Sequence, residues 1–264
     1  MQIRFNLKIM KKQIIFTLFY AFFTPLSIFA QIIVAPTFPR VDDNVTITYD
    51  ATQGNAALTG VSPIYIHTGA ITDINPSTTA WTPKYPWATN AADNVLTALG
   101  SNKHSITYNI RSYYGIPASG VVAKQLAMIF RNGTGTKQSE TLFYDVWDGT
   151  SLVTKITTPS VPNITVNVGD AVNFVGESSV NAAHISVRLN GSLVKSLTNT
   201  NIITNTFTAS NPGLNTVLLK ADDGSVGAFD KSFTFYAAPV VTVQNGPAGL
   251  KPAQWTTAMA LLRS

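Results

Sequence analysis

Trp81, Tyr85 and Trp87 fall within seven residues of one another, in a polar, proline-bearing stretch. Upstream, Tyr65 and His67 alternate with Ile64 and Ile66, which places the tyrosine and the histidine on the outward face of a strand. Sugar rings present apolar C–H faces and a rim of hydroxyls. A surface that binds them needs flat aromatics for stacking, with His, Asn, Gln or Lys nearby as hydrogen-bond partners. This group supplies both kinds of residue. Two tryptophans in a long loop would equally serve to cap a hydrophobic core, and the residue types alone leave both roles open. Tyr113 and Tyr114, before Gly115, Ile116 and Pro117, are ambiguous in the same way.

Other chemistries find less support. His67, His104 and His184 lie far apart in different predicted strands and there is no cysteine, so no metal-ligand spacing converges. Asp42 with Asp43, and Asp222 with Asp223, have the oxygen ligands that calcium takes, but turn formation accounts for aspartates at such places. Glycoside hydrolysis needs two carboxylates about 5 to 10 Å apart across a cleft, and the 13 acidic residues sit mostly at turns. Neither a G-x-S-x-G elbow nor a glycine-rich phosphate loop occurs. No catalytic residue, metal or cofactor is expected.

A formal net charge of +5 looks suited to nucleic acid until the charges are located. Arg4, Lys8, Lys11 and Lys12 lie in the first thirty residues, which contain no acid; without them basic and acidic residues nearly balance. No nucleic-acid partner is expected. From Met10, Lys11 and Lys12 precede the apolar run Ile14 to Phe23; Pro25 then breaks it, and Ile28, Phe29 and Ala30 end on a small residue. That order predicts a secretory signal peptide over 1–30, hence a secreted or cell-surface protein with no integral membrane segment in the mature chain. An uncleaved anchor is the alternative, since Ile32, Ile33 and Val34 prolong the apolar character. Without cysteine, neither lipid attachment nor a disulfide is possible, so stability must come from β-sheet burial.

After Gln31 the apolar period is two rather than 3.6. Val45, Ile47 and Tyr49 alternate with Thr46, Thr48 and Asp50, and further strands are predicted at Ile64 to His67, His104 to Asn109, Ala123 to Arg131 and Thr141 to Trp147. These make a β-sandwich domain over 35–148. The stretch Leu152 to Pro162, with Pro159 and Pro162 around Ser160, marks a linker or a shared edge strand. Beyond it, Ile164 to Val168, Val172 to Val175, Ile185 to Leu189, Leu193 to Leu197, Phe207, Val217 to Leu219 and Phe233 to Tyr236 read as about seven short strands, with turns at Asn190-Gly191 and Asp223-Gly224. That pattern predicts an immunoglobulin-like sandwich over 159–239. The fold class expected is therefore all-β, two tandem sandwiches. An irregular tail follows over 240–264, with a possible strand start at Val240 to Val243 and a short helix at Ala258 to Leu262.

Several runs resemble the amino-terminal, non-catalytic modules of secreted bacterial α-amylase-family proteins. They are Ile64-Tyr65-Ile66-His67-Thr68-Gly69, Trp81, Lys84-Tyr85-Pro86-Trp87, Asn109 to Pro117 and Leu126 to Gly133. The resemblance, to a starch-binding-like module, covers about Val41 to Val146. Val187 to Gly191 and Asn211-Pro212-Gly213 are similar to the immunoglobulin-like module that follows it in those proteins. The resemblance implies His67 and Trp81 as the sugar-contacting pair, with Tyr65, Tyr85 and Trp87 as further aromatics and Asn132, Lys137 and Gln138 as hydroxyl contacts. It implies an α-glucan polysaccharide or oligosaccharide as partner. The carboxylate motifs of the amylase barrel are absent, so the chain looks like the front portion of such a protein, and none of that family's catalytic residues transfers.

The leading expectation is a secreted, non-catalytic α-glucan-binding protein. Its rivals are an adhesive or spacer protein of immunoglobulin-like modules with no sugar ligand, and a small glycosidase built on a sandwich.

Overall fold

The computed structural model describes residues 31–224 and 229–239. The signal peptide expected over 1–30 and the tail over 240–264, with its strand and helix, lie outside these residues. The described chain is all-β, with a single short helix. Thirteen strands form several sheets, and the buried residues gather in two cores, one drawn from Val34 to Val146 and one from Leu152 to Ala237.

The first core lies between two antiparallel sheets. One has the order β1 (Ile32–Ala35), β2 (Asn44–Asp50), β5 (Lys103–Asn109), β4 (Thr97–Gly100); the other is β3 (Ile64–Thr72), β6 (Ala123–Asn132), β7 (Leu142–Asp145). The period-two reading of β2 holds: Val45, Ile47 and Tyr49 are fully buried and face the other sheet, where Tyr49 stacks on Phe130 with ring centroids 4.0 Å apart. The apolar run of β6 occupies the central position of its sheet, as a strand buried on both faces should. A one-turn helix, α1 (Ile110–Tyr114), follows β5. The Asn109 side chain accepts from the Ser112 N–H to start it, and Gly115 at φ 65° ends it. Beneath it, the Tyr114 hydroxyl bridges the Tyr108 hydroxyl (2.8 Å) and Thr68 Oγ1 (2.7 Å), so each buried oxygen has a partner.

The second core differs from the run of short strands that its turns suggest. Val172 to Val175 and Ile185 to Leu189 belong to one strand, β10 (Ala171–Leu189), and Leu193 to Leu197 and Phe207 to another, β11 (Ser192–Thr208). β11 pairs with one edge of β10 along nearly its whole length. The other edge is shared: β8 (Thr154–Thr158) takes Val175 to Ser178, and β12 (Gly213–Asp222) takes His184 to Leu189. β13 (Phe229–Ala238) continues from β12 and pairs in parallel with β9 (Asn163–Asn167). The polar residues around Ser178 and Ser179 interrupt the apolar alternation where the register of β10 shifts between Glu177 and Ala182. The strand passes from one partner to the other there without ending. Phe174, Phe207, Phe233 and Phe235 fill this core, Phe174 and Phe233 lying stacked at 6.1 Å.

Candidate functional site

The long segment between β3 and β4 does not hang free. It folds back over the outer face of the β3–β6–β7 sheet and carries Trp81 and Trp87 to His67. The His67 ring lies 5.2 Å from that of Trp81 and 4.9 Å from that of Trp87, the latter edge-on. What allows this approach is Gly69, two residues along β3 on the same face as His67. The loop backbone crosses directly over it, bridging Gly69 to Pro83, while the Lys84 N–H donates to Thr68 O at 2.9 Å. A Cβ at position 69 would stand 2.2 Å from the Thr82 carbonyl oxygen and 2.8 Å from the Trp81 ring. A glycine inside a strand marks such a close backbone approach.

Two further devices fix the loop. Arg131, opposite Tyr65 in the sheet, is only 1% exposed and has no carboxylate partner among the described residues. Its guanidinium donates instead to oxygens of the loop and hairpin: Nη1 to Asn90 Oδ1 (2.9 Å) and Asn132 O (2.9 Å), and Nη2 to Thr89 O. It also lies over the rings of Tyr65, at 5.3 Å, and Trp87, at 5.7 Å. The second device is a latch: Lys84 Nζ sits 2.8 Å from Asp93 Oδ2 and 3.5 Å over the Tyr113 ring, and the Tyr85 hydroxyl donates to the Asp93 carboxylate. Trp87 is 42% exposed and leans on Gly135 in the β6–β7 hairpin.

Between the loop and the sheet edge an open groove of about 630 Å³ remains, walled by Trp81, Phe143, Ile129 and His67, with Thr78, Thr79 and Thr141 at its rim. Phe143, 39% exposed on the edge strand β7, faces the groove opposite the tryptophan loop. Apolar and aromatic walls with a hydroxyl rim suit a ligand that is itself apolar on its faces and polar at its edge. His67 adds a ring nitrogen, Nδ1, that is buried and has no hydrogen-bond partner among the described residues. Burial above all, and secondarily the Arg131 cation, lowers the His67 pKa, so the imidazole is neutral at pH 7.

The structure thus brings His67, Trp81 and Trp87 together and separates the other candidates from them. Tyr65 is half-buried under the Arg131 guanidinium. Tyr85 belongs to the Asp93 latch. Asn132 closes its own hairpin, donating to Thr136 Oγ1 and accepting from the Lys137 N–H, while Lys137 and Gln138 are exposed on the returning arm and do not line the groove. Sequence reasoning missed Gly69, Arg131 and Phe143. Among the described residues no group of three or more His, Cys, Asp or Glu converges on a metal site. Asp42 instead pairs with Arg111, and Asp222 with His184. Among the same residues no helix is long and apolar enough to cross a membrane.

His104, buried on β5 with its Nδ1 unpartnered among the described residues, also has its pKa lowered by burial. Both imidazoles take up a proton more readily in the unfolded chain. The stability they permit is therefore complete above the ordinary histidine pKa of about 6.5 and is lost as pH falls from there through their lower folded-state values. Urea midpoints are expected to drop between pH 7.5 and pH 5, and the drop to shrink in His104→Gln; an unchanged pH slope in that variant would contradict the assignment.

Residues 32–138 match a family described as a domain of unknown function, DUF8578. No curated protein matches the chain. Similar solved structures include fibronectin(III)-like modules of CbhA from Clostridium thermocellum, at 14% identity and a TM-score of 0.27, covering 33% of this chain and 98% of that one. The D0-D1 domain of intimin is similar at 13% identity and 0.34, covering 77% and 96%. A chain of the complex of Dpr2 Ig1-Ig2 with DIP-Theta Ig1-Ig3 follows at 11% identity and 0.25, covering 80% and 100%. At such scores these likenesses carry no argument about this chain's ligand; its all-β character rests on its own sheets.

Proposed function

We propose that the chain is a non-catalytic, β-modular protein of the adhesive or spacer kind, its modules spanning 35–148 and 159–239 and its place of work the cell exterior. Two successive β-cores support this reading; the segment 147–151 between them leads into a second core that already takes in Leu152 and β8, ahead of residue 159. Segment and second module are tied together, since the Ser179 hydroxyl donates to Ser151 O at 2.9 Å and Leu152 packs in the second core. Two cooperative units in calorimetry, assignable by expressing 31–148 alone, would be the expected behaviour; a 31–148 fragment without its own transition would count against separate modules.

A second, finer reading is favoured by one observation, the groove between Trp81 and Phe143 over a neutral His67. In this reading the first module holds a carbohydrate, an α-glucan in view of the family it resembles, by stacking a pyranose face on Trp81 while the threonine hydroxyls at the rim take the sugar hydroxyls. One such subsite contributes on the order of a few kcal/mol, so an isolated module binds weakly, in the micromolar to millimolar range. Retention on insoluble starch is expected for the wild type and is expected to fall at least tenfold in Trp81→Ala. Equal retention, or none in either protein, removes the sugar site and leaves the spacer reading standing.

A further inference from the structure

A second cleft, of about 560 Å³, opens where β6 and β7 of the first core meet β8 and β13 of the second. Its apolar walls include Phe38, Val146, Trp147 and Val153. Its charges balance, three lysines (Lys124, Lys155, Lys231) against three aspartates (Asp145, Asp148, Asp230), so it has no net pull on an anion or a cation. Such a cleft suits a small neutral molecule.

Lys155 is set apart from the other two lysines. Its ammonium lies 3.6 Å over the Tyr144 ring and makes no ion pair among the described residues. Its cross-strand neighbour on β10, Glu177, instead accepts a hydrogen bond from Thr157 Oγ1 at 3.0 Å. Next to it on β8, Thr154 is buried, with an Oγ1 that has no hydrogen-bond partner among the described residues. The ring face favours the ammonium, whereas removal from water and the lack of a carboxylate contact favour the neutral amine, which is a nucleophile. We propose that Lys155 is a covalent modification site for small neutral aldehydes, the open-chain forms of reducing sugars included. The Nζ lone pair adds to the carbonyl carbon, a C–N bond forms, and the carbonyl oxygen departs as water, giving an imine with no change of oxidation state. The Tyr144 ring face then stabilises the protonated imine as it does the ammonium.

The charge environment agrees with this. Burial lowers the Lys155 pKa to about 8, outweighing Asp145 and Glu177, which raise it; Lys124, Asp148, Asp230 and Lys231 are the other charges on the cleft. A larger share of Lys155 is then neutral near pH 7.4 than of an ordinary lysine.

The test is reductive labelling of the folded full chain with propionaldehyde and cyanoborohydride, read lysine by lysine by peptide mass spectrometry. Lys155 is expected to react at least ~10-fold faster than the exposed Lys103 and Lys137, with a rate rising through a midpoint near pH 8 and with the preference gone in 8 M urea. Labelling of Lys155 at or below the rate of Lys103 and Lys137 in the folded chain overturns the proposal, as does a preference that persists in urea. The comparison is made within the wild-type chain, so it does not depend on a variant's folding; Lys155→Arg confirms the peptide assignment.

Discussion

Gly69→Ala is expected to destabilise the first core by about 3 kcal/mol and to dislodge both tryptophans from the sheet, the upper end of what overpacking costs. The magnitude follows from what the new methyl would strike. It meets a backbone carbonyl oxygen at 2.2 Å, not the far end of a flexible side chain, and that backbone is pinned on either side by the Pro83 bridge and the Lys84 N–H bond. The loop must lift, breaking those bonds and opening the His67–Trp81 contact. Urea unfolding followed by tryptophan emission reads both effects, as a lower midpoint and a red-shifted folded spectrum. A midpoint and spectrum like those of the wild type would show that the loop is not seated on Gly69.

Arg131→Met is the second large effect, about 2 kcal/mol. The substitution keeps much of the side-chain volume and removes a desolvated cation, which is favourable in itself. It also takes away the guanidinium's bonds to Thr89 O, Asn90 Oδ1 and Asn132 O; Thr89 O keeps the Asn94 side-chain amide and Asn132 O keeps the Gly135 N–H, and a hydrogen bond to a charged group contributes about 1.5–3 kcal/mol. The lost charged bonds, which tie the loop to the sheet, outweigh the relief of removing the cation, so the net sign is destabilising. Arg131→Lys is expected to recover less than half of the loss, because one ammonium cannot reach three oxygens that the planar fork spans. Full recovery by lysine would mean that charge, not the fork, holds the loop. In both variants the edge-on contact between Trp87 and His67 is expected to loosen, detectable as a shift of the His67 ring protons in NMR.

The contrast between these two residues shows what the sequence could disclose. Strand β2 was readable because Val45, Ile47 and Tyr49 alternate without interruption and one side of the sheet is buried. The meeting of His67 with Trp81 was suggested by residue types that suit a common ligand, but the path of the loop was not readable: no periodicity governs residues 73–94, and their position depends on a gap in the sheet surface. That gap did leave a trace, Gly69 inside an otherwise good strand. Arg131 left almost none. It ends an apolar run and looks like the solvated edge of a strand, and the carbonyls that neutralise its burial belong to residues about forty positions away. In the second core, β10 and β11 were divided at places where polar residues break the alternation, because a strand that changes partner in mid-course looks locally like a strand that stops.

The pairing of β9 with β13 in parallel has a mechanical meaning. β9 lies near the entrance of the second core and β13 carries the chain out of it, so their outward ends lie at opposite extremes of the ladder. Tension applied along the chain would drag the two strands past each other and load all their hydrogen bonds at once, whereas an antiparallel pair pulled from one end would unzip bond by bond. A ladder sheared in this way resists stretching along the strand direction.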